Sequence, residues 1–284
     1  MPSTVLPSFT MGRSIPKRLF QTFPVDRITP VLQANMDDLR RANPGWRYRL
    51  FDDADIPPFI REHYGERVAT LYDRIGQDYG AARADLFRYL LMYREGGVYL
   101  DVKSRFDAPI DAVIGARDRF IVSQWRNGPG EAHAGWGLHP ELAQVPGGEF
   151  QQWHIVTAPG HPFLRAVIER VLRGIEEYDA RTVDVGWTGV LRLTGPIAYT
   201  LAIAPLLDRH PHRRVGNEAE LGLRYSVLDG SNHQALFARH YTANLTPVVR
   251  QPGLRGLRDR LYLEARKRRK RWRAVLRGAI SAIR

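Results

Sequence analysis

Asp78 to Ser104 reads DYGAARADLFRYLLMYREGGVYLDVKS, a helix, a glycine stop and a buried strand that runs out into polar residues. From Ala81 onward the apolar positions Ala84, Phe87, Leu90 and Leu91 recur at helical spacing, and Leu86, Tyr89 and Tyr93 widen the buried face. Gly96 and Gly97 end the helix, because glycine accepts the positive φ that helix C-termini favour. Val98 to Val102 then forms a β-type run.

Two placements in this stretch carry chemistry. Asp85 and Arg88 are three apart and therefore neighbours on one helical face. Asp101 and Lys103 are two apart, so they point the same way if the strand continues through them. In open α/β sheets ligands sit beyond the carboxyl ends of strands, which is where Asp101 falls. Spacing alone also fits a solvated helix pair and a turn-forming aspartate.

The segment ARADLFRYLLMYREGGVYLDVKS resembles the core signature of the glycosyltransferase family 32 group, the DXD-containing sugar transferases. Asp85, Arg88, Tyr89, Gly96, Gly97, Tyr99 and Asp101 keep the pattern, and Lys103 stands where the second acid of the motif is usual. Ile15 to Phe23, IPKRLFQTF, reads as the first strand and is similar to the family's opening, with Phe23 in place of Trp. NPGWRYRLFDDAD, APGHP at Ala158 to Pro162, and LTGPIAYT at Leu193 to Thr200 resemble further family blocks.

Charge divides the chain. Residues 253 to 284 hold twelve Lys or Arg against Asp259 and Glu264, a net of +10, which leaves only +2 of the total +12 for the other 252 residues. The body is thus near neutral, and the basic excess is no general nucleic-acid signal. Leu254, Leu257, Leu261, Ala265, Trp272, Val275, Leu276, Ala279, Ile280 and Ile283 share one face of a helix whose other positions are strongly basic. A basic amphipathic helix with Trp and Ile on its apolar side predicts a membrane-surface anchor; RNA, a protein partner or an unstructured tail are the other readings. With no cysteine there is neither a disulfide framework nor a thiolate metal site. The first residues lack a continuous apolar core for a signal peptide, and no run of 18 apolar residues predicts a membrane span.

Along the chain, residues 1 to 14 read as a flexible leader, Pro30 to Ala42 as a helix stopped by Asn43-Pro44, and Trp46 to Phe51 as a strand. Asp52, Asp53 and Asp55 fit helix capping or metal ligation. Two short helices follow, Ala54 to Gly65 and Glu66 to Gly76, and this alternation predicts a mainly parallel sheet. Arg105 to Gly115 reads as turns, Phe120 to Trp125 as a strand, and Asn127 to Gly148 as a long loop that offers His133, Trp136 and His139 as acceptor-site candidates. His133, His139 and His154 lack a metal-ligand spacing. Trp153 to Ala158 reads as a strand and Phe163 to Tyr178 as a helix capped by His161. The Gly195-Pro196 pair opens another helix whose backbone N–H groups suit an anion.

The resemblance implies an α/β, GT-A type Rossmann-like fold with a mainly parallel central sheet over residues 15 to 252, followed by the basic amphipathic helix of 253 to 284. It implies a hexosyltransferase that moves a sugar from a GDP- or UDP-sugar to a hydroxyl of a glycan or glycolipid, with retention of configuration, in surface or capsular polysaccharide synthesis. By the same resemblance Asp85 and Arg88 grip the donor sugar, and Asp101 reaches ribose, sugar or metal. Gln21, Thr22, Phe23, Tyr89, Thr194, Gly195, Pro196 and His240 lie by the donor. A divalent metal, Mn or Mg, is implied, with Asp101, Asp229 and Asn232 as candidate ligands. Lys103 puts the metal in question: its ammonium could itself face the diphosphate, a metal could rest on Asp101 and C-terminal groups, or catalysis could be lost. The expected partners are a nucleotide sugar, a glycan acceptor and an anionic membrane surface, with no specific nucleic acid and a cytoplasmic, inner-face location. The alternative is a non-catalytic basic membrane- or nucleic-acid-binding protein on a degenerate transferase fold.

Overall fold

The computed structural model describes residues 6–228 and 244–282. Its centre is a six-stranded sheet of order β2-β1-β3-β6-β5-β7. β1 (Arg18–Thr22) pairs in parallel with both β2 (Arg47–Phe51) and β3 (Gly97–Leu100). β6 (His154–Thr157) is antiparallel to β3 and to β5 (Phe120–Val122), and β7 (Arg213–Arg214) rejoins β5 in parallel. The parallel half follows from the expected alternation, because α1 (Pro30–Ala42) links β1 to β2, while α2 (Ile56–Arg74) and α3 (Gly80–Glu95) link β2 to β3. α2 is two helical pieces joined at Gly65, whose φ of +77° breaks it where the sequence suggested two short helices.

Strand alternation sorts the core into two faces. Phe20, Tyr99, Phe120 and Ile155 face α2, α3 and α4 (Pro162–Glu177), while Leu19, Val98, Leu100, Ile121 and Val156 face Leu39 of α1 and Trp46, Trp125 and Trp153. α3 is buried nearly all round, from Asp85 through Tyr93, as a helix clamped between sheet and helices must be. It stops at Gly96 and Gly97, with φ +61° and +102°; a Cβ on Gly97 would strike the Arg18 carbonyl, so close pairing of β3 with β1 requires glycine there.

Several expectations change. The leader is packed from Leu6 onward: Leu6 is buried, Phe9 meets Tyr64 edge-on and Tyr93 at a tilt, and Gly12 N–H donates to the Pro159 carbonyl. β3 ends at Leu100, so Asp101 and Lys103 do not share a strand face. Residues 101 to 104 instead close a turn, with Ser104 N–H donating to the Asp101 carbonyl and Asn35 Nδ2 donating to the carbonyls of Val102 and Ser104. Asp55 occupies the N-cap position of α2, yet its carboxylate accepts from Asp52 N–H rather than capping. The sequence did not announce α5 (Gly186–Leu193), β7, or the two-residue strands β4 (Arg105–Phe106) and β8 (Leu223–Arg224), which pair with each other. α6 (Pro196–Ile203) begins at the Gly-Pro pair as read from the sequence. The stretch Gly186–Arg209 is apolar enough by composition to span a membrane, but it divides into α5, α6 and a 3-10 turn and is half buried in the core.

α7 (Gly253–Ala282) is one continuous helix. Its first turns dock through Gly256, Asp259 and Leu263, helped by Arg258 to Asp179 at 2.8 Å and Arg266 to Asp184 at 2.6 Å. Leu254, Leu257 and Leu261 lie on the opposite side and are 84%, 45% and 62% exposed, and Trp272 is also exposed.

Candidate functional site

The site is built at the carboxyl ends of β1 and β3. Tyr99 faces the α3 side of the sheet and Asp101 follows just past the strand's end, where the helical spacing of Asp85 and Arg88 presents both charges toward them. Arg88 Nη2 lies 3.1 Å from Asp101 Oδ1 and 3.4 Å from Asp85 Oδ1, and its guanidinium covers the Tyr99 ring at 4.9 Å. Asp85 Oδ2 accepts from Thr194 Oγ1 at 3.0 Å, and Oδ1 accepts from Gln152 Nε2 at 3.1 Å. Gln152 also receives Arg88 Nη1 on its side-chain and backbone oxygens, at 2.8 and 3.0 Å, so one amide locks acid and guanidinium together. Tyr99 OH donates to Asp101 Oδ1 at 3.2 Å.

Burial sets the electrostatics. It pushes the Asp85 carboxyl up, against the pull of Arg88, Thr194 and Gln152. Burial also opposes the Arg88 charge, but the Asp101 carboxylate, with Tyr99 and Asp85 behind it, outweighs that and moves its pKa up. Burial raises Tyr89 and Tyr99 well above the ordinary tyrosine value, so both remain hydroxyl donors. Asp85 and Arg88 side chains are only 5% and 7% exposed, whereas Asp101 is 24% exposed and forms the open edge of the cluster. Such a set can take the vicinal hydroxyls of a sugar on a carboxylate and guanidinium held in fixed register.

Comparison with known proteins finds a family whose match spans these elements. The family described as "Glycosyltransferase sugar-binding region containing DXD motif" matches residues 30–121, which include α3, β3 and Asp101. The "Initiation-specific alpha-1,6-mannosyltransferase" of Schizosaccharomyces pombe is 25% identical over 207 residues, covering 68% of this chain and 49% of that protein. "Inositol phosphoceramide mannosyltransferase 1" of the same yeast is 24% identical over 167 residues, covering 58% and 45%. In sequence and fold, the chain is similar to glycosyltransferases of the DXD-containing family-32 type. It spans about half the length of the curated relatives it matches. Among solved structures, PaToxG Glycosyltransferase superimposes with a TM-score of 0.51 at 14% identity, over 78% of this chain and 84% of that one, a likeness of GT-A fold.

Around the motif's acid the chain departs from the pattern it resembles. Lys103 is buried, and its Nζ donates to Tyr225 OH at 2.7 Å and lies 3.9 Å from the centre of that ring. Burial lowers its pKa to about 8, partly offset by Asp101. Tyr225 arrives because β8 pairs with β4 just after the Lys103 turn, and Ser104 Oγ donates to the Tyr225 carbonyl. The described residues do not fit a divalent metal: none of them form a group of three or more His, Asp or Glu that could hold one. Asp101 Oδ1 already receives Arg88 and Tyr99, and the second position of the motif is a cation. Asp229, Asn232 and His240 lie outside the described residues.

Other candidates fall into two groups. Gln21 is buried at the end of β1 and donates to the Asp101 carbonyl at 3.3 Å, which sets Thr22 and Phe23 beside the same sheet edge; Phe23 packs on Leu32, Met36 and Val102. Tyr89 and Thr194 are wholly buried, with Tyr89 OH donating to the Thr194 carbonyl, so they brace Asp85 from behind, and Gly195-Pro196 opens α6 directly after. His133 and Trp136 join Trp125, Trp153 and Tyr225 in an aromatic cluster, with Trp136 ring-to-ring 6.1 Å from Tyr225 and 47% exposed. His133 Nδ1 lies 3.3 Å from the buried Glu218, and His139 pairs with Glu149 at 2.9 Å. Gln152, Tyr225 and Glu218 carry no local sequence signal that marks them as site residues. Gln152 needs the antiparallel direction of β6, which carries its start to the end of β3, where Asp101 N–H donates to the Trp153 carbonyl. Two cavities of about 510 and 420 Å³ lie elsewhere, beside Arg18 and Glu95 near the amino-terminal end of β1.

Proposed function

We propose that this chain transfers a hexose from a nucleotide-sugar donor to a hydroxyl of a glycan or glycolipid. The observation that carries the reading is the convergence of Asp85, Arg88 and Asp101 at the carboxyl ends of two parallel strands, locked by Gln152. In this reading Asp85 and Arg88 hold the donor sugar, Asp101 orients sugar or ribose at the open edge, and Gln21, Thr22 and Phe23 flank the nucleotide. Tyr89 and Thr194 position Asp85, and Gly195-Pro196 lies behind it. Trp136 and His133 receive the acceptor, because an exposed indole held edge-on to Tyr225 offers an apolar face next to Lys103. The relatives named as mannosyltransferases make GDP-mannose the first donor to try, with UDP-hexoses beside it.

Residues 15 to 252 form the transferase unit, and α7 attaches it to an anionic lipid surface on the inner face of the membrane. Support for the attachment is that docking uses the Asp259 side of α7 and leaves Leu254, Leu257 and Leu261 outward among basic residues. Retention of configuration and a role in surface polysaccharide belong to the same reading. A panel of GDP- and UDP-sugars, scored for thermal stabilisation and hydrolysis, tests it: one donor should raise the melting temperature and be turned over, and Asp85→Asn should abolish both. No response to any nucleotide sugar would refute the assignment.

A further inference from the structure

We infer that Lys103, presented by Tyr225, is the counter-charge that receives the donor's diphosphate, so that the chain binds nucleoside diphosphates without a divalent cation. This rests on the transferase reading above. During transfer the C1–O bond to the diphosphate breaks with its electron pair staying on phosphate, a C1–O bond to the acceptor forms, and the acceptor's proton leaves to the phosphate or solvent. Negative charge therefore grows on the departing diphosphate, and a fixed cation at that point stabilises it.

The local construction favours an ammonium in that role. The motif position two after Asp101 is a cation, Asp101 is the one acid of the 101–104 turn, and its Oδ1 is already shared by Arg88 and Tyr99. A divalent ion entering there would face Lys103 and Arg88, and of the two carboxylates beside Arg88 only Asp101 lies at the open edge, Asp85 being 5% exposed. Lys103 is also held rather than left to solvent. Asn35 pins the carbonyls on either side of it, Val227 N–H donates to its own carbonyl at 2.8 Å, and Tyr225 takes its Nζ both by hydrogen bond and by ring face. Keeping a lysine at 5% exposure costs stability, and the turn is braced at four points to keep it. Tyr225 is a positioning residue in this scheme, and Lys103 touches the substrate.

The test is calorimetric binding of UDP, GDP and the two nucleosides to the full chain, with and without chelator. Native protein should bind one diphosphate equally well in EDTA. Lys103→Met should weaken that diphosphate by about tenfold or more, the worth of a charge-assisted contact, and leave the nucleoside unchanged. Lys103→Arg should retain most of the affinity. Lys103→Asp should make binding depend on added Mn²⁺, and Tyr225→Phe should weaken the diphosphate less than Lys103→Met does. Melting curves confirm that each variant is folded. Loss of diphosphate binding in EDTA, or native-like binding by Lys103→Met, overturns the inference while leaving the transferase reading in place. Failure of every nucleotide to bind, with or without metal, overturns both.

Discussion

Arg88 is the residue on which the site's electrostatics turn. It compensates two carboxylates, Asp101 at 3.1 Å and Asp85 at 3.4 Å, and fills both oxygens of Gln152. Arg88→Met leaves a buried Asp85 without its counter-charge, and loss of one partner from such a pair costs about 3–5 kcal/mol. Urea denaturation should show that loss, and Arg88→Lys should recover only part of it because an ammonium has three donors and no planar fork to serve the four oxygens around Arg88. Lys103 has the opposite sign. At pH 7 it is charged, yet burial has lowered its pKa from 10.5 to about 8, a penalty of roughly 3 kcal/mol at most. Lys103→Met should therefore melt higher than the native chain while turnover falls, and a lower melting temperature would show that the lysine holds the fold. The charges themselves were legible: a three-residue spacing on a helix and an acid after a strand are sequence facts. Gln152, Thr194's grip on Asp85 and Tyr225 were not, because they reach the site through an antiparallel strand, a helix end and a two-residue strand that no local periodicity announces.

At the scale of elements, the junction from α3 into β3 fixes where the charges meet. Gly97 has φ +102° and no space for a Cβ against the Arg18 carbonyl, so Gly97→Ala adds backbone strain to a clash across the β1–β3 pairing. A loss of about 3 kcal/mol is expected, read from the denaturation midpoint. α7 makes a different prediction. Its docking contacts lie on the Asp259 and Leu263 face, so replacing Leu254, Leu257 and Leu261 together by Gln should leave the unfolding free energy within about 1 kcal/mol of native. Flotation with phosphatidylserine vesicles should be lost in that variant and weakened for the native chain by salt. Undiminished flotation would remove the apolar face from the attachment. Most elements were legible from apolar spacing and Gly or Pro punctuation: α1 begins and ends where Thr29-Pro30 and Asn43 place it. α5 escaped because its eight residues contain two glycines and follow the positive-φ Asp184, so composition pointed to a loop.

For the whole molecule, the body's near-neutral charge leaves specific buried groups to set its acid stability. His154 and His161 are both buried, one at the start of β6 and bonded to Ser123 Oγ at 2.9 Å, the other capping α4. Burial lowers His154 to about 3, and lowers His161 to about 4 against the pull of the Pro211 carbonyl. The geometry at His161 agrees with a neutral ring, because Nδ1 accepts from Phe163 N–H while Nε2 faces the Pro211 carbonyl, which leaves no acceptor for a second proton. In the unfolded chain each histidine takes up a proton near pH 6.5, whereas in the fold each does so only below 4 or so, so between these values the unfolded state holds more protons. Stability must then rise with pH across that window and be fully present above about 6.5. By pH 5 the two groups together remove about 4 kcal/mol, each contributing about 1.4 kcal/mol per pH unit. Denaturation midpoints measured from pH 7.5 down to pH 5 should fall accordingly, and His161→Asn, which keeps a side-chain acceptor for Phe163 N–H without titrating, should halve the slope. A flat profile in the native chain would mean that these imidazoles accept protons inside the fold, and that the sheet's underside is wetter than its packing indicates.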